Sequence, residues 1–143
     1  MSKNWSEIKT GVGFATHIPE KLNLLLSPNQ ETRYNAYWKI DNYAIIQGDL
    51  YEASYYIIDP LMNALKDAKY KTEILDLLTE IALGFAPETE LIVINDKKVS
   101  LMEACHSKLK KYYNQLVEIK KQTITPSELT LLENLLEILD ELK

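Results

Sequence analysis

The sequence predicts an all-α chain, and three observations predict it. Glycine and proline are scarce, 4 and 5 in 143 residues, whereas leucine, isoleucine, lysine and glutamate abound; β proteins need more turn residues than this. Apolar residues recur at helical spacing along most of the chain, without sustained alternation. Capping residues stand where several of these stretches begin and end. Apolar residues make up 46% and charged residues 26%, which places the chain among folded globular proteins rather than disordered ones. The length suits one domain, residues 1–143, with a real core.

The elements follow in order. Residues 1–17 read as irregular, because Gly11 and Gly13 flank Val12. A short helix starts near Ile18, with Pro19 in its first turn and Leu22, Leu25 and Leu26 on one side, and "SPN" ends it. A second runs from Glu31 to about Ile46, with Tyr34, Tyr37, Trp38, Asp41 and Ile45 at helical spacing. In "QGD", Gly48 stops it and Asp49 is placed to N-cap the next helix, with Glu52 three residues on. That helix, Leu50 to about Ala68, is apolar nearly all round and carries a kink at Pro60.

Lys69–Pro87 holds a wide apolar face, Ile74 to Phe85, closed by Gly84 and Pro87. Residues 86–99 read as an irregular loop, in which Leu91–Ile94 is a short β-branched run, a strand or a buried loop. Ser100 caps a helix reaching about Gln122, with Glu103 at its third position. The last helix, to Lys143, has Thr125 as cap, Pro126 first, Glu128 completing the box, and Leu129, Leu132, Leu135, Leu136 and Leu139 as its buried stripe. Six to seven helices result, arranged as antiparallel pairs of about 40 residues, the size of a HEAT/armadillo α-solenoid unit.

Charge is uneven. Residues 1–40 carry five basic and three acidic groups, residues 41–99 five and eleven, residues 100–143 six and seven, for a net −5. The acidic middle opposes nucleic-acid phosphates and suits a basic protein partner; simple solubility would also account for it. No apolar run is long enough to span a membrane, the first residues lack a signal-peptide core, and the one cysteine excludes an internal disulfide framework. Together these point to the cytoplasm.

Catalytic and metal chemistry find little support. Cys105 and His106 are neighbours that diverge on a helix, so they read as a core cysteine beside a surface histidine. No phosphate-binding glycine loop or nucleophile elbow occurs. Asp76/Glu80 and Glu133/Glu137 are i,i+4 carboxylate pairs, read as solvated faces. No cofactor and no metal are expected.

Nine tyrosines are many for this length. Tyr51, Tyr55 and Tyr56 could meet Tyr34, Tyr37 and Trp38 across the Gly48 corner as a core layer. They could instead line a surface beside Asp41, Asp49, Glu52 and Asp59, where rings give rigid contact area and carboxylates steer a cationic partner. Asp41, Asp49, Tyr51, Glu52, Tyr55, Tyr56 and Asp59 are therefore the candidate partner-binding residues.

Three stretches, "AYWKIDNYAIIQGDLYEASYYIIDPLMNAL", "LLTEIALG" and "MEACHSKLKKYYNQLV", resemble a family of small bacterial HEAT-like proteins over residues 30–120. Gln47-Gly48 followed by Tyr51, Ala53 and Pro60 is the most specific part; Asp49 stands where Thr or Ser is expected, and Ile46 where His is common. The resemblance implies a non-enzymatic α-solenoid, often an immunity protein encoded beside a polymorphic or contact-dependent toxin. Composition adds the expectation that such a toxin is basic and nuclease-like, since nucleases are often cationic. The rival expectation is a HEAT-type scaffold or adaptor.

Overall fold

Helices carry most of the chain in the computed structural model, which describes residues 4–122 and 124–142. Residues 1–3 of the expected irregular start, and Lys143 at the end of the last helix, lie outside these. The first described residues form a 3-10 turn at Trp5–Glu7 and a small hairpin, β1 (Lys9–Thr10) with β2 (Gly13–Phe14). This replaces the irregular N-terminus expected from its glycines. Gly13 takes a left-handed φ of 103° in the turn. The Gly11 N–H donates to the Tyr43 carbonyl at 2.9 Å, and a side chain at Gly11 would run into Ile46 and the Tyr51 ring. Close approach therefore calls for a glycine at Gly11, and the left-handed turn for one at Gly13.

Two helices follow, α1 (Ile18–Leu24) and α2 (Gln30–Ala44). The Asn29 side chain caps α2 by accepting from the Thr32 N–H at 3.0 Å. Its buried face is Arg33, Ala36, Ile40, Asp41 and Ala44, so Tyr34 and Trp38 point outward, 55% and 40% exposed. The aromatic spacing picked the wrong side of this helix. Two alanines on the inner side leave room for close packing.

At "IIQGDL" the chain makes a hairpin, β3 (Ile45–Ile46) with β4 (Asp49–Leu50), rather than a helix stop and a new cap. Gln47 and Gly48 both have positive φ, 53° and 83°, the two-residue loop that suits twisted strands. Asp49 is accordingly a strand residue, and α3 (Glu52–Tyr56) starts from Tyr51. The Ser54 Oγ accepts from the Tyr51 N–H at 2.9 Å and donates to the Ala44 carbonyl at 2.5 Å, binding the end of α2 to the start of α3.

The expected long helix is divided at Ile57 into α3 and α4 (Ile58–Asp67). Pro60 is the third residue of α4 and has no N–H for the carbonyl one turn back, so the break falls before the proline. α5 (Thr72–Leu83) is buried on Ile74, Leu75, Leu77, Leu78, Ile81 and Ala82. A helix apolar this far round must be covered on several sides, and α2, α4, α6 (Leu101–Lys111) and α8 (Pro126–Glu141) all pack on it.

The expected loop at 86–99 contains a second well-formed hairpin, β5 (Leu91–Ile94) with β6 (Lys97–Ser100). Asn95 and Asp96 both have positive φ, 51° and 66°, as a tight I′-type turn requires. Ser100 ends β6 and caps α6, as its sequence position predicted. α6 breaks at Tyr112 into α7 (Tyr113–Lys120), and α8 carries the Thr125–Glu128 capping box with Pro126 in front. The fold class is thus all-α, with three two-stranded hairpins among the described residues.

Candidate functional site

Of the seven residues singled out in the sequence, Tyr55, Tyr56 and Asp59 meet in one open cavity of about 930 Å³. α3 and α4 supply them, and the Ile57 break aims both groups at the same space. Trp5, Glu7 and Ile8 from the N-terminal turn form a second wall, and Val93, Ile94 and Asn95 from β5 and its turn form a third. Lys108 of α6 completes the floor. The two tyrosine rings stand edge to face, 5.1 Å between centroids at 90°.

Asp59 is held firmly. Lys108 Nζ donates to its Oδ2 at 2.7 Å, and the Tyr112 hydroxyl donates to its Oδ1. Burial works against the charged carboxylate, but these two donors outweigh it and hold Asp59 below its ordinary pKa. Burial and the same carboxylate push the Tyr112 hydroxyl up to about 12. Lys108 is raised: burial disfavours its charge, and Asp59 more than offsets it. The same ammonium lies 4.2 Å from the Tyr55 ring centroid, a cation–π contact. Asp59 is therefore one half of an ion pair, not the bare negative charge its sequence setting suggested. What it contributes to the cavity is a fixed, hydrogen-bonded shelf under two aromatic rings.

The other four candidates lie elsewhere. The Glu52 Oε1 accepts the Lys9 N–H at 2.9 Å and so anchors the first hairpin to α3. Tyr51 packs against Gly11, and Asp49 is exposed on β4, whose backbone bridges to Phe85. Asp41 departs furthest. It is buried on α2, 8% exposed, and faces Glu80 of α5. Asp41 Oδ1 and Glu80 Oε2 are buried oxygens without a donor. Burial, then the hydrogen bond and charge of Asp41, push the Glu80 carboxyl up to about 8. A carboxylic acid at Glu80 donating to a carboxylate at Asp41 satisfies both orphaned oxygens. The Tyr37 hydroxyl also bonds Glu80, and burial followed by the charges of Glu80 and Asp41 raises it.

Asp76/Glu80 is thus not the solvated pair its spacing suggested, and Asp41 is not part of a presented surface. The aromatic layer across the corner does not form either. Trp38 stacks with its own helix neighbours Tyr34 and Tyr37, at 6.0 and 5.1 Å, while Tyr55 pairs with Tyr56.

Cys105 is fully buried, and burial pushes its thiol up to about 12, out of the range of a reactive thiolate. His106 is half-buried and bonds the Ala82 backbone, against the surface position expected; burial holds its pKa below the ordinary value. Among the described residues, no group of three or more His, Cys, Asp or Glu could hold a metal ion, and no helix is long and apolar enough to cross a membrane.

Lys108 and Trp5 are among the site residues that the sequence did not reveal. Each reaches the cavity from a segment tens of residues away, with no local pattern to mark it. Compared with family models, curated proteins and solved structures, the chain matches none of them.

Proposed function

We propose that the chain is a binding protein of the immunity type, acting in the cytoplasm on a HEAT-like helical frame, which neutralises a basic, nuclease-like toxin by protein–protein contact. The observation that supports this reading is the cavity walled by Trp5, Tyr55 and Tyr56 over the braced Asp59. Rigid aromatic rings around a recess are the usual anchors of tight protein interfaces, because they bury much area while losing little conformational freedom. Glu7 at the rim keeps the approach acidic, which speeds encounter with a cationic partner.

The test is protection of growth when the toxic protein of the adjacent reading frame is expressed together with this chain. Tyr55→Ala and Tyr56→Ala are each expected to weaken the complex by about 30-fold, the usual cost of truncating an aromatic anchor, and to reduce protection. Thermal unfolding should show the variants still folded. Full protection by both, with folding intact, rules the cavity out as the binding site. The adaptor reading gains if the adjacent frame encodes no toxic product and Tyr55→Ala instead releases this chain from a larger assembly.

A further inference from the structure

The β5–β6 hairpin has a feature that the cavity alone does not explain. Its register pairs Ile94 with Lys97 across a two-residue turn, then Val93 with Lys98, Ile92 with Val99 and Leu91 with Ser100. In such a hairpin the pair flanking the turn exchanges hydrogen bonds, and alternate pairs do so thereafter. The N–H of Leu101 donating to the carbonyl of Glu90 at 2.9 Å fits this alternation. Ile94 and Ile92 therefore spend their backbone groups on β6. The N–H and C=O of Leu91 and Val93 point the other way, and among the described residues no backbone hydrogen bond reaches them. β5 is an open edge.

That edge borders the cavity. Val93 and Ile94 have side chains on opposite faces of the strand, yet both line the same space, so the cavity runs along the side of β5. The opposite wall is Tyr55, Tyr56, Asp59 and Pro60. Leu91 and Val93 are half exposed, 51% and 52%, an unusual display for a strand edge that is not blunted by proline or charge at these positions. Acidic groups flank the approach, Glu88 and Glu90 before the strand, Asp96 at its turn and Glu7 across the gap, and they outnumber Lys97 and Lys98 of β6. Lys108 is already committed to Asp59.

We infer that β5 is a docking edge on which an extended segment of a basic partner adds as a third strand, its alternate side chains set between the Tyr55–Tyr56 wall and the flanking carboxylates. This rests on the proposed binding function and specifies how the partner is held: main-chain hydrogen bonds from Leu91 and Val93 supply affinity, and the acidic, aromatic wall selects lysine or arginine beside apolar residues. A second copy of this chain is the rival occupant, since open edges also pair with themselves.

The experiment uses the full chain labelled for amide NMR and two end-blocked peptides, one alternating lysine with valine, the other glutamate with valine. The lysine peptide is expected to shift the Leu91 and Val93 amides and the Tyr55 ring, and to bind at least about tenfold more tightly than the glutamate peptide. Val93→Pro removes one outward N–H without touching the bonds to β6, so it should weaken the lysine peptide about tenfold while the Ile92–Val99 cross-strand contact persists. Glu7→Gln should weaken it less and reduce its salt dependence. No shift at β5 up to about 1 mM peptide, the upper end of strand-addition affinities, overturns the inference. Equal binding by Val93→Pro does so as well, and so do concentration-dependent shifts of the β5 amides without peptide, which would assign the edge to self-association. If Tyr55→Ala loses protection against the toxic partner and Val93→Pro keeps it, strand addition is wrong and the cavity reading survives.

Discussion

Replacing Glu128 by alanine is expected to lower the unfolding free energy by about 3 kcal/mol, enough to endanger a domain of ordinary stability. Glu128 is the third residue of α8 and is 5% exposed. One oxygen accepts the Thr125 N–H at 3.0 Å, closing the capping box, and the other accepts the Lys71 N–H at 2.6 Å, at the start of α5. Lys71 turns its own Nζ back onto the carbonyls of Leu65 and Ala68, at 2.8 and 2.5 Å, where α4 ends. The Glu128 and Lys71 side chains together thus join the ends of three helices. Truncation leaves the buried Lys71 N–H unpaired, at about 1–3 kcal/mol, and removes half of the capping box at the exposed Thr125, at about 1 kcal/mol more.

Urea unfolding at neutral pH checks this, with an unchanged m-value to show that the native state is otherwise intact. Glu128→Gln, which keeps one good acceptor, should fall between alanine and wild type. A loss below about 1 kcal/mol for alanine would show that water reaches the joint. The acid limb carries a second signature. Burial opposes the Glu128 charge, but the Thr125 and Lys71 donors outweigh it and hold its pKa below the ordinary value. Its contribution is therefore present above the ordinary carboxylate range and is lost as pH falls through the lowered value.

How much of this was legible follows from the range of each interaction. Thr125, Pro126 and Glu128 announce a helix start because a capping box is complete within four residues. Ser100 does the same for α6. Lys71, the other partner of Glu128, lies 57 positions away, and no local pattern couples them. Asp59 and Lys108, 49 apart, are equally invisible. Of the four carboxylates expected beside Tyr55 and Tyr56, only Asp59 lines the same cavity, and sequence counts charges without seeing which are neutralised.

The hairpins were missed for a different reason. "QGD" contains a real left-handed turn, but a glycine at a helix end and a glycine in a two-residue hairpin loop look alike until the φ of Gln47 is known. For β5–β6 the second strand reads Lys97, Lys98, Val99, Ser100, too polar to suggest a partner for Leu91–Ile94. Helix faces failed where two apolar arcs compete. On α2, tyrosines and tryptophan form one arc and small alanines with Ile40 the other, and the interior took the arc that packs closer.

The same helix pairing sets the pH behaviour of the molecule. Because Glu80 is lifted from 4.5 to about 8 in the folded chain, the native state holds a proton that the unfolded chain releases between those values. Stability from this group is complete below about pH 4.5 and is lost as pH rises through 8. The groups that face it are Asp41 and Tyr37 on α2 and Asp76 one turn earlier on α5; the buried stripes that α4 and α8 turn inward are otherwise leucine-rich, with Glu128 already tied to Lys71. Glu80 is partly exposed, so solvent screening reduces the full linkage, leaving about 2 kcal/mol between pH 5 and pH 9. Glu80→Gln keeps a donor for Asp41 at every pH and should remove this slope. The variant is expected to match wild type near pH 5 and to exceed it by about 2 kcal/mol at pH 9 in urea unfolding. His106 titrates in both proteins alike, so it cancels from the difference. Parallel stability curves for the two would show that Asp41 and Glu80 share no proton, and would return α2 and α5 to apolar packing alone as the reason they stay together.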